Sequence, residues 1–484
     1  MKILMKMLWV IIITGVAFIS YEYLAPNPAT DLDQIDSTPQ TSQTDLQEEV
    51  EKQVESNKTV SSLIAEGDQQ YNNGYYDKAL KSYKNALIKD PNSAQSIYKI
   101  GLTYLSDNKP VEARQYFEQL KEVSSNIQVD ILIGRTYINN REIEEASEHF
   151  NSLDQTNKEI AYYTTILKIL YKDHEEAKTA LLALTEKLNT ESELDQELKK
   201  KVTIFLEAYQ SISLNRESKD QHEEALLAKA FIDVEEFAAS IPLLFDIIDL
   251  QNNYRDAWIM LGYSYLQTGK TADALDALKQ AQTLDSEKPE TLFFLGLTYA
   301  VQEDYDQSIT YLENAAVAGF QPEDLINQKL ADLYLIKKDY NKALESYVKT
   351  IENGVADINI FTKAVWICIE KIEKPHRAIQ VAKYALKQFP EEANSFSLLG
   401  WGYVAAEEYD QAKDNLITAL EMDPNLDSAY LNLGWMYEKQ DLEHIAKEYY
   451  KKAYSLGTGN SISNLAAIRF NNILKADITS PYSP

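Results

Sequence analysis

A chain of 484 residues with 45% apolar side chains can bury a continuous core, and its formal charge of −28 excludes the clustered lysine and arginine that nucleic-acid phosphates demand. The same charge disfavours docking of the folded surface on anionic lipid; it permits a basic partner or keeps the outer faces soluble. One cysteine, Cys368, rules out an intramolecular disulfide.

The chain opens with Lys2 and Lys6 ahead of an apolar run, Met7 to Tyr21. A charged segment followed by a hydrophobic one is the pattern of a signal sequence. The run is long for a signal-peptide core and short against the ~20 residues of a membrane span. The small-residue pair Gly15 and Ala17 would cut inside it, and no cysteine follows to accept lipid. Residues 1–24 therefore read as an uncleaved anchor, one N-terminal transmembrane helix; secretion after cleavage is the alternative. Lysines precede the run, and Glu22, Asp31, Asp33 and Asp36 follow it. That asymmetry places the N-terminus in the cytoplasm and the rest outside the cytoplasmic membrane. Residues 25–58 are rich in Pro, Ser, Thr, Gln and acids and poor in large apolar residues. They read as a disordered tether.

After the tether a glycine recurs, at Gly67, Gly101, Gly134, Gly262, Gly296, Gly400 and Gly434, with neighbouring intervals of 33 or 34. Aligned on it, a Leu precedes (Leu261, Leu399, Leu433), a Tyr follows three later (Tyr265, Tyr403, Tyr437) and an Ala twelve later (Ala274, Ala412, Ala446). Each interval holds two apolar helical patterns joined by a short turn. Weaker copies put Ala331 and Trp366 in the glycine's place. Between them the pattern loosens. Thr165 to Leu184 keeps only Ala177 and the apolar spacing, Asp195 to Leu214 reads as a longer helical insertion, and Ala228 to Ile247 as a degenerate copy. The expected order is an N-terminal lobe over 59–190, an insertion or bend over 191–220, a C-terminal lobe over 221–457, and a capping helix with tail over 458–484. One continuous superhelix and two lobes both fit.

These residues resemble the tetratricopeptide repeat, whose pattern is W-x2-L-G-x2-Y, then A-x3-F and a late P. Gly67, Ala79, Tyr83, Ala86 and Pro91 fit one copy; Gly101, Tyr104, Ala113 and Phe117 fit the next; Gly134, Tyr137, Ala146 and Phe150 a third; Trp258 with Leu261 and Gly262 a later one. The resemblance covers most of the chain after the tether. It implies an all-α, right-handed superhelical solenoid of about eleven helix pairs. It also implies a scaffold that binds a protein or peptide on its concave face. Assisting assembly of an envelope, secretion or cell-wall complex is the role expected by analogy. A regulatory or substrate-presenting subunit for an enzyme on another chain is the alternative. The oligomeric state is open.

Little in the sequence points to catalysis. His149, His174, His222, His376 and His444 are scattered, without metal-ligand spacing. Pairs such as Glu144–Glu145 and Glu407–Glu408 fall at helix starts, where acids favour the helix dipole. Phosphate-loop, nucleophile-elbow and dinucleotide motifs are missing. The chain is read as a non-enzyme without cofactor or metal.

In the repeat family the residues three before and one after the glycine tend to face the groove. Here they are Ile259 and Tyr263, Phe293 and Leu297, Ser397 and Trp401, Leu431 and Trp435, and in the N-terminal lobe Tyr98 and Leu102, Ile131 and Arg135. Ile259, Tyr263, Phe293, Leu297, Trp401, Leu431 and Trp435 form the candidate peptide groove, an apolar and aromatic set suited to hydrophobic anchors. Burial between helices is the competing reading of the same residues. Some family members grip a terminal carboxylate with Lys and Asn at these places. Ile64 with Asp68, and Gln328 with Asp332, do not supply that grip.

Overall fold

The computed structural model describes residues 59–479 apart from 73, 190–191, 215–219, 355–356 and 458–460. The expected anchor and tether lie outside the described residues. Among the described residues no helix is long and apolar enough to cross a membrane, and no strand occurs. Among the described residues twenty-four α-helices follow one another. The chain divides into two compact units, one running to Phe320 and one beginning at Gln321.

The first unit contains α1 Val60–Asn72, α2 Tyr76–Lys89, α3 Ala94–Ser106, α4 Pro110–Val123, α5 Ile127–Asn139, α6 Ile143–Asn151, α7 Lys158–Leu170 and α8 His174–Lys187. It continues with α9 Glu193–Leu214, α10 Asp220–Asp233, α11 Phe237–Leu250, α12 Arg255–Gln267, α13 Thr271–Leu284, α14 Pro289–Val301 and α15 Tyr305–Val317. The second contains α16 Glu323–Ile336, α17 Tyr340–Glu352, α18 Ile358–Trp366, α19 Pro375–Gln388, α20 Ala393–Ala405, α21 Tyr409–Met422, α22 Asp427–Lys439, α23 Glu443–Gly457 and α24 Ser461–Thr479. All but α9 and α24 form antiparallel pairs. The long α9 is the expected insertion, and α10 with α11 the degenerate copy. The last helix caps the stack by burying Ala466 and Ile473 against Tyr450 and Ala453 of α23.

Local chemistry sets the helix ends. Ser93, Asn126 and Asn157 cap α3, α5 and α7 by accepting from backbone N–H groups of the first turn. Pro110, Pro289 and Pro375 start α4, α14 and α19, where the missing N–H would be unpaired anyway.

Within each pair a small residue on the first helix lies under a large one sixteen positions later. A Cβ on Gly101 would stand 2.4 Å from the Phe117 ring, on Gly262 2.5 Å from Leu278, on Gly400 2.6 Å from Leu416 and on Gly434 2.6 Å from Tyr450. The glycine period thus records close helix approach, with the large partner sealing the space. Where Ala331 replaces glycine, Tyr347 sixteen later is still fully buried. Where Trp366 does, the residue sixteen later is Ala382, also buried. Exchanging large and small conserves the core volume. Directly after Trp366 the helix widens into a π-turn, Ile367–Lys371.

Candidate protein-interaction groove

Within the first unit a later helix packs back on two earlier ones. Helix α11 packs against α5 and α7. Glu236, just before α11, is buried and accepts from the Tyr163 hydroxyl at 3.4 Å. Arg135, half-buried on α5, lies in the field of Tyr163, Glu236, Glu159 and Tyr162, which together hold its guanidinium charged. Lys172 in the turn after α7 bridges Glu224 of α10 at 3.1 Å and Asp246 of α11 at 2.8 Å. Four of the residues expected in the groove lie in this unit: Ile259, Tyr263, Phe293 and Leu297 are at most 3% exposed. Tyr263 packs its ring against Phe237 and Phe294 at centroid distances of 5.5 and 5.0 Å. Phe293 stacks on Phe320 at 4.1 Å. These are core contacts. Of the earlier positions, Ile131 is buried and Tyr98 exposed.

The second unit differs. Leu431 is buried, whereas Trp401 and Trp435 keep part of their surface in solvent. Trp435 rests on the cluster of Val404, Leu416 and Leu433. The Lys439 ammonium lies 5.4 Å and the Arg469 guanidinium 5.2 Å from its ring centre. Cations over an indole face are attracted by its quadrupole and hold it in place. Ser397 meets Ser428 at 3.1 Å, and the Asn432 amide donates toward the Ser397 hydroxyl at 3.4 Å, tying α20 to α22. Trp401 and Trp435 are thus part-open, while Ser397 and Asn432 are buried between the helices.

Two repeats of the second unit and one of the first carry a motif that the sequence pattern did not point to. Tyr347 donates to Asp332, and Asp332 is bridged by Lys363 of the next repeat at 2.8 Å. Tyr450 donates to Glu438, which pairs with Arg469 at 3.3 Å. Tyr83 donates to Asp68 at 2.6 Å, and Asp68 pairs with Lys99 at 2.8 Å. In all three the cation lies 31 residues after the acid. The tyrosine is the large residue sixteen after the small one, and the acid receives its hydroxyl. Burial, and then the acid, push each of these phenols far above its ordinary value; for Tyr450, Arg469 opposes the rise. The usable signal was Tyr, rather than Phe or Leu, at that register. Asp68 and Asp332, read above only as failing to grip a carboxylate, are themselves gripped.

Lys329 stands beside the Asp332–Lys363 pair. It is half-buried, and among the described residues it has no hydrogen bond or ion pair. Burial lowers its pKa to about 8; Asp332 opposes the shift and Lys363 adds to it. Among the described residues no group of three His, Cys, Asp or Glu could hold a metal ion. Cys368 is buried, and burial raises its thiol to about 11.

Comparison with known proteins agrees with this architecture. The chain matches the tetratricopeptide repeat family over residues 64–126, 226–289, 259–324 and 397–461. It is 24% identical over 219 residues to protein bimA of Emericella nidulans, a match covering 43% of this chain and 26% of that protein. It is 30% identical over 152 residues to the uncharacterized protein ycf37 of Porphyra purpurea, covering 29% of this chain and 83% of that one. The chain spans about a quarter to about half of the first curated relatives it matches. Among solved structures, the C-terminal part of a repeat-containing protein from Cytophaga hutchinsonii aligns at 12% identity over 50% of this chain and 98% of that one, with a TM-score of 0.41. The paired helices, the small-under-large register and the matched stretches make this chain a member of the tetratricopeptide repeat family, whose proteins mediate protein interactions.

Proposed function

We propose that this protein is a membrane-tethered, non-catalytic scaffold that holds a protein or peptide partner against the inner face of its second unit, with Trp401 and Trp435 as the anchoring side chains. The observation that carries this is their partial exposure, whereas Tyr263 and Leu297 at the same place in the first unit are buried. Large part-open aromatics held by packing are what a docking site needs, because they offer apolar area at little cost in ordering. The apolar run Met7 to Tyr21, behind Lys2 and Lys6, supports a single-pass anchor with the repeats outside the cytoplasmic membrane. A scaffold so placed suits assembly of an envelope, secretion or wall-building complex.

A photo-crosslinking residue at 401 tests the docking site in native membranes. A discrete adduct at 401, missing when the same residue is placed at exposed Lys279 on α13, supports the proposal. Equal labelling from both places refutes it. Carbonate washing of membranes tests the tether: the chain should stay in the pellet, and release into the wash contradicts anchoring.

A further inference from the structure

We propose that the exposed face of α19 is a second docking surface, fitted to an acidic segment of a partner protein and independent of Trp401 and Trp435.

Composition singles this helix out. The chain as a whole carries a formal charge of −28. Within Pro375–Gln388, however, Arg377, Lys383 and Lys387 stand without a single Asp or Glu. Among the described residues α19 is the one helix with three such cations and no acid.

Burial divides the helix into two sides. Ala378, Ile379, Val381, Ala382 and Ala385 are buried in the core. Arg377, Gln380, Lys383, Tyr384 and Lys387 are exposed. Steps of three and four residues line these side chains up along the axis. From Arg377 to Lys387 the row runs about 15 Å. Tyr384 lies within it with 52% of its surface in solvent. Among the described residues Arg377, Lys383 and Lys387 form no ion pair. Lys383 reaches the Tyr403 ring, 5.9 Å from its centre. At the start of the helix His376 approaches Glu408 at 3.8 Å. Three cations along one face repel one another, and carboxylates arriving beside them relieve that repulsion. An exposed tyrosine among them adds apolar area with a hydroxyl at its tip, a side chain that interfaces favour.

The width of the row selects the occupant. On α21, the second helix of the following pair, exposed Asp410, Asp414 and Glu421 outnumber Lys413. On α17, the second helix of the preceding pair, Lys342 and Lys349 are matched by Glu345 and Glu352, and Lys349 pairs with Glu345 at 3.2 Å. The positive stripe is therefore one helix wide. A flat anionic lipid surface spanning neighbouring pairs would also meet the acids of α21. A narrow acidic helix or extended segment fits the stripe without them.

The test uses the full chain in detergent micelles with an environment-sensitive dye on Gln380→Cys, the native Cys368 being buried away from the reagent. The probe is a capped helical peptide with glutamates along one face, against its glutamine counterpart at equal ionic strength. The glutamate peptide should shift the dye emission saturably, and the glutamine peptide should not. Replacing Arg377, Lys383 and Lys387 together by Gln should weaken binding about tenfold, three exposed pairs each contributing modestly. Replacing Lys342, Lys349 and Lys413 on the flanking helices by Gln should leave it within about twofold. Thermal melts establish that both variants fold. An equal response to the two peptides, or an equal loss in the two variants, overturns the proposal. A dye shift in vesicles containing phosphatidylglycerol, with none from the glutamate peptide, overturns it in favour of a lipid surface. Self-association of the natural chain that the α19 variant loses overturns it in favour of a second copy of this chain.

Discussion

Replacing Lys363 by Met should destabilise the second unit through one junction between repeats. Lys363 and Asp332 are 2.8 Å apart with side-chain exposures of 7% and 11%, so water cannot take over the lost contact. Removing one partner of a buried pair leaves an uncompensated charge and costs about 3–5 kcal/mol. Lys329 lies close enough to lend part of its field, which favours the lower end of that range. Spread over a urea dependence of about 2–3 kcal/mol/M, the loss lowers the unfolding midpoint by roughly 1–2 M. Adding Asp332→Asn to Lys363→Met removes the stranded charge while keeping an acceptor for the Tyr347 hydroxyl. That double variant should recover to within about 1 kcal/mol of the natural protein. Urea unfolding followed by tryptophan fluorescence reads the effect, because Trp366, Trp401 and Trp435 all lie in this unit. A single variant with an unchanged midpoint, or a double variant no better than the single one, would refute the reasoning.

Further outcomes follow from the same contacts. Gly101→Ala should destabilise the first unit by about 1–3 kcal/mol in thermal melts, because the new methyl collides with the Phe117 ring. Glu303 is exposed with φ of 61° in the turn between α14 and α15, so Glu303→Gly should stabilise by up to about 1 kcal/mol. Gln280→Gly, on an exposed face inside α13, should lose about 1 kcal/mol in the same assay. The Arg114 guanidinium beside Glu142 holds that carboxyl below the ordinary range. A folded value under the unfolded one gives stability that is present above about pH 4.3 and lost as pH falls through the folded value. Glu142→Gln should therefore destabilise at neutral pH and lose its effect near pH 3, by urea unfolding at each pH. Cys368, buried with its thiol raised to about 11, should resist a thiol-exchange reagent at pH 8 until the second unit unfolds. Labelling as fast as a free thiol would contradict its burial.

Most of the fold was legible because the repeat leaves a covalent record. The glycine at 33 to 34 residue intervals marks close approach, and the register to its large partner is fixed at sixteen. Even the weak copies kept that register, through Ala331 with Tyr347 and Trp366 with Ala382. The groove was harder to read. A residue's place in the repeat says which way its side chain leaves the helix, but not what arrives in front of it. Tyr263 and Phe293 are buried, with neighbouring aromatics of the first unit packed on their rings. Glu236 against Tyr163 comes from a helix 73 residues away in sequence, beyond what a local pattern can signal. The Tyr–acid–cation triads could have been found. They required reading Asp332 together with Lys363, one repeat on, rather than with Gln328 in its own helix. Lys329 lay outside the inspected places, one residue past Gln328, and only the burial around it distinguishes it from a surface lysine.

The most direct test of the scaffold reading is affinity capture from native membranes, with the full chain beside a variant carrying Trp401→Ala and Trp435→Ala. Circular dichroism of both proteins establishes that the helices remain. The account predicts a partner retained by the natural chain and lost by the folded variant. A partner retained equally by both would contradict it and move binding to the outer helix faces or the first unit.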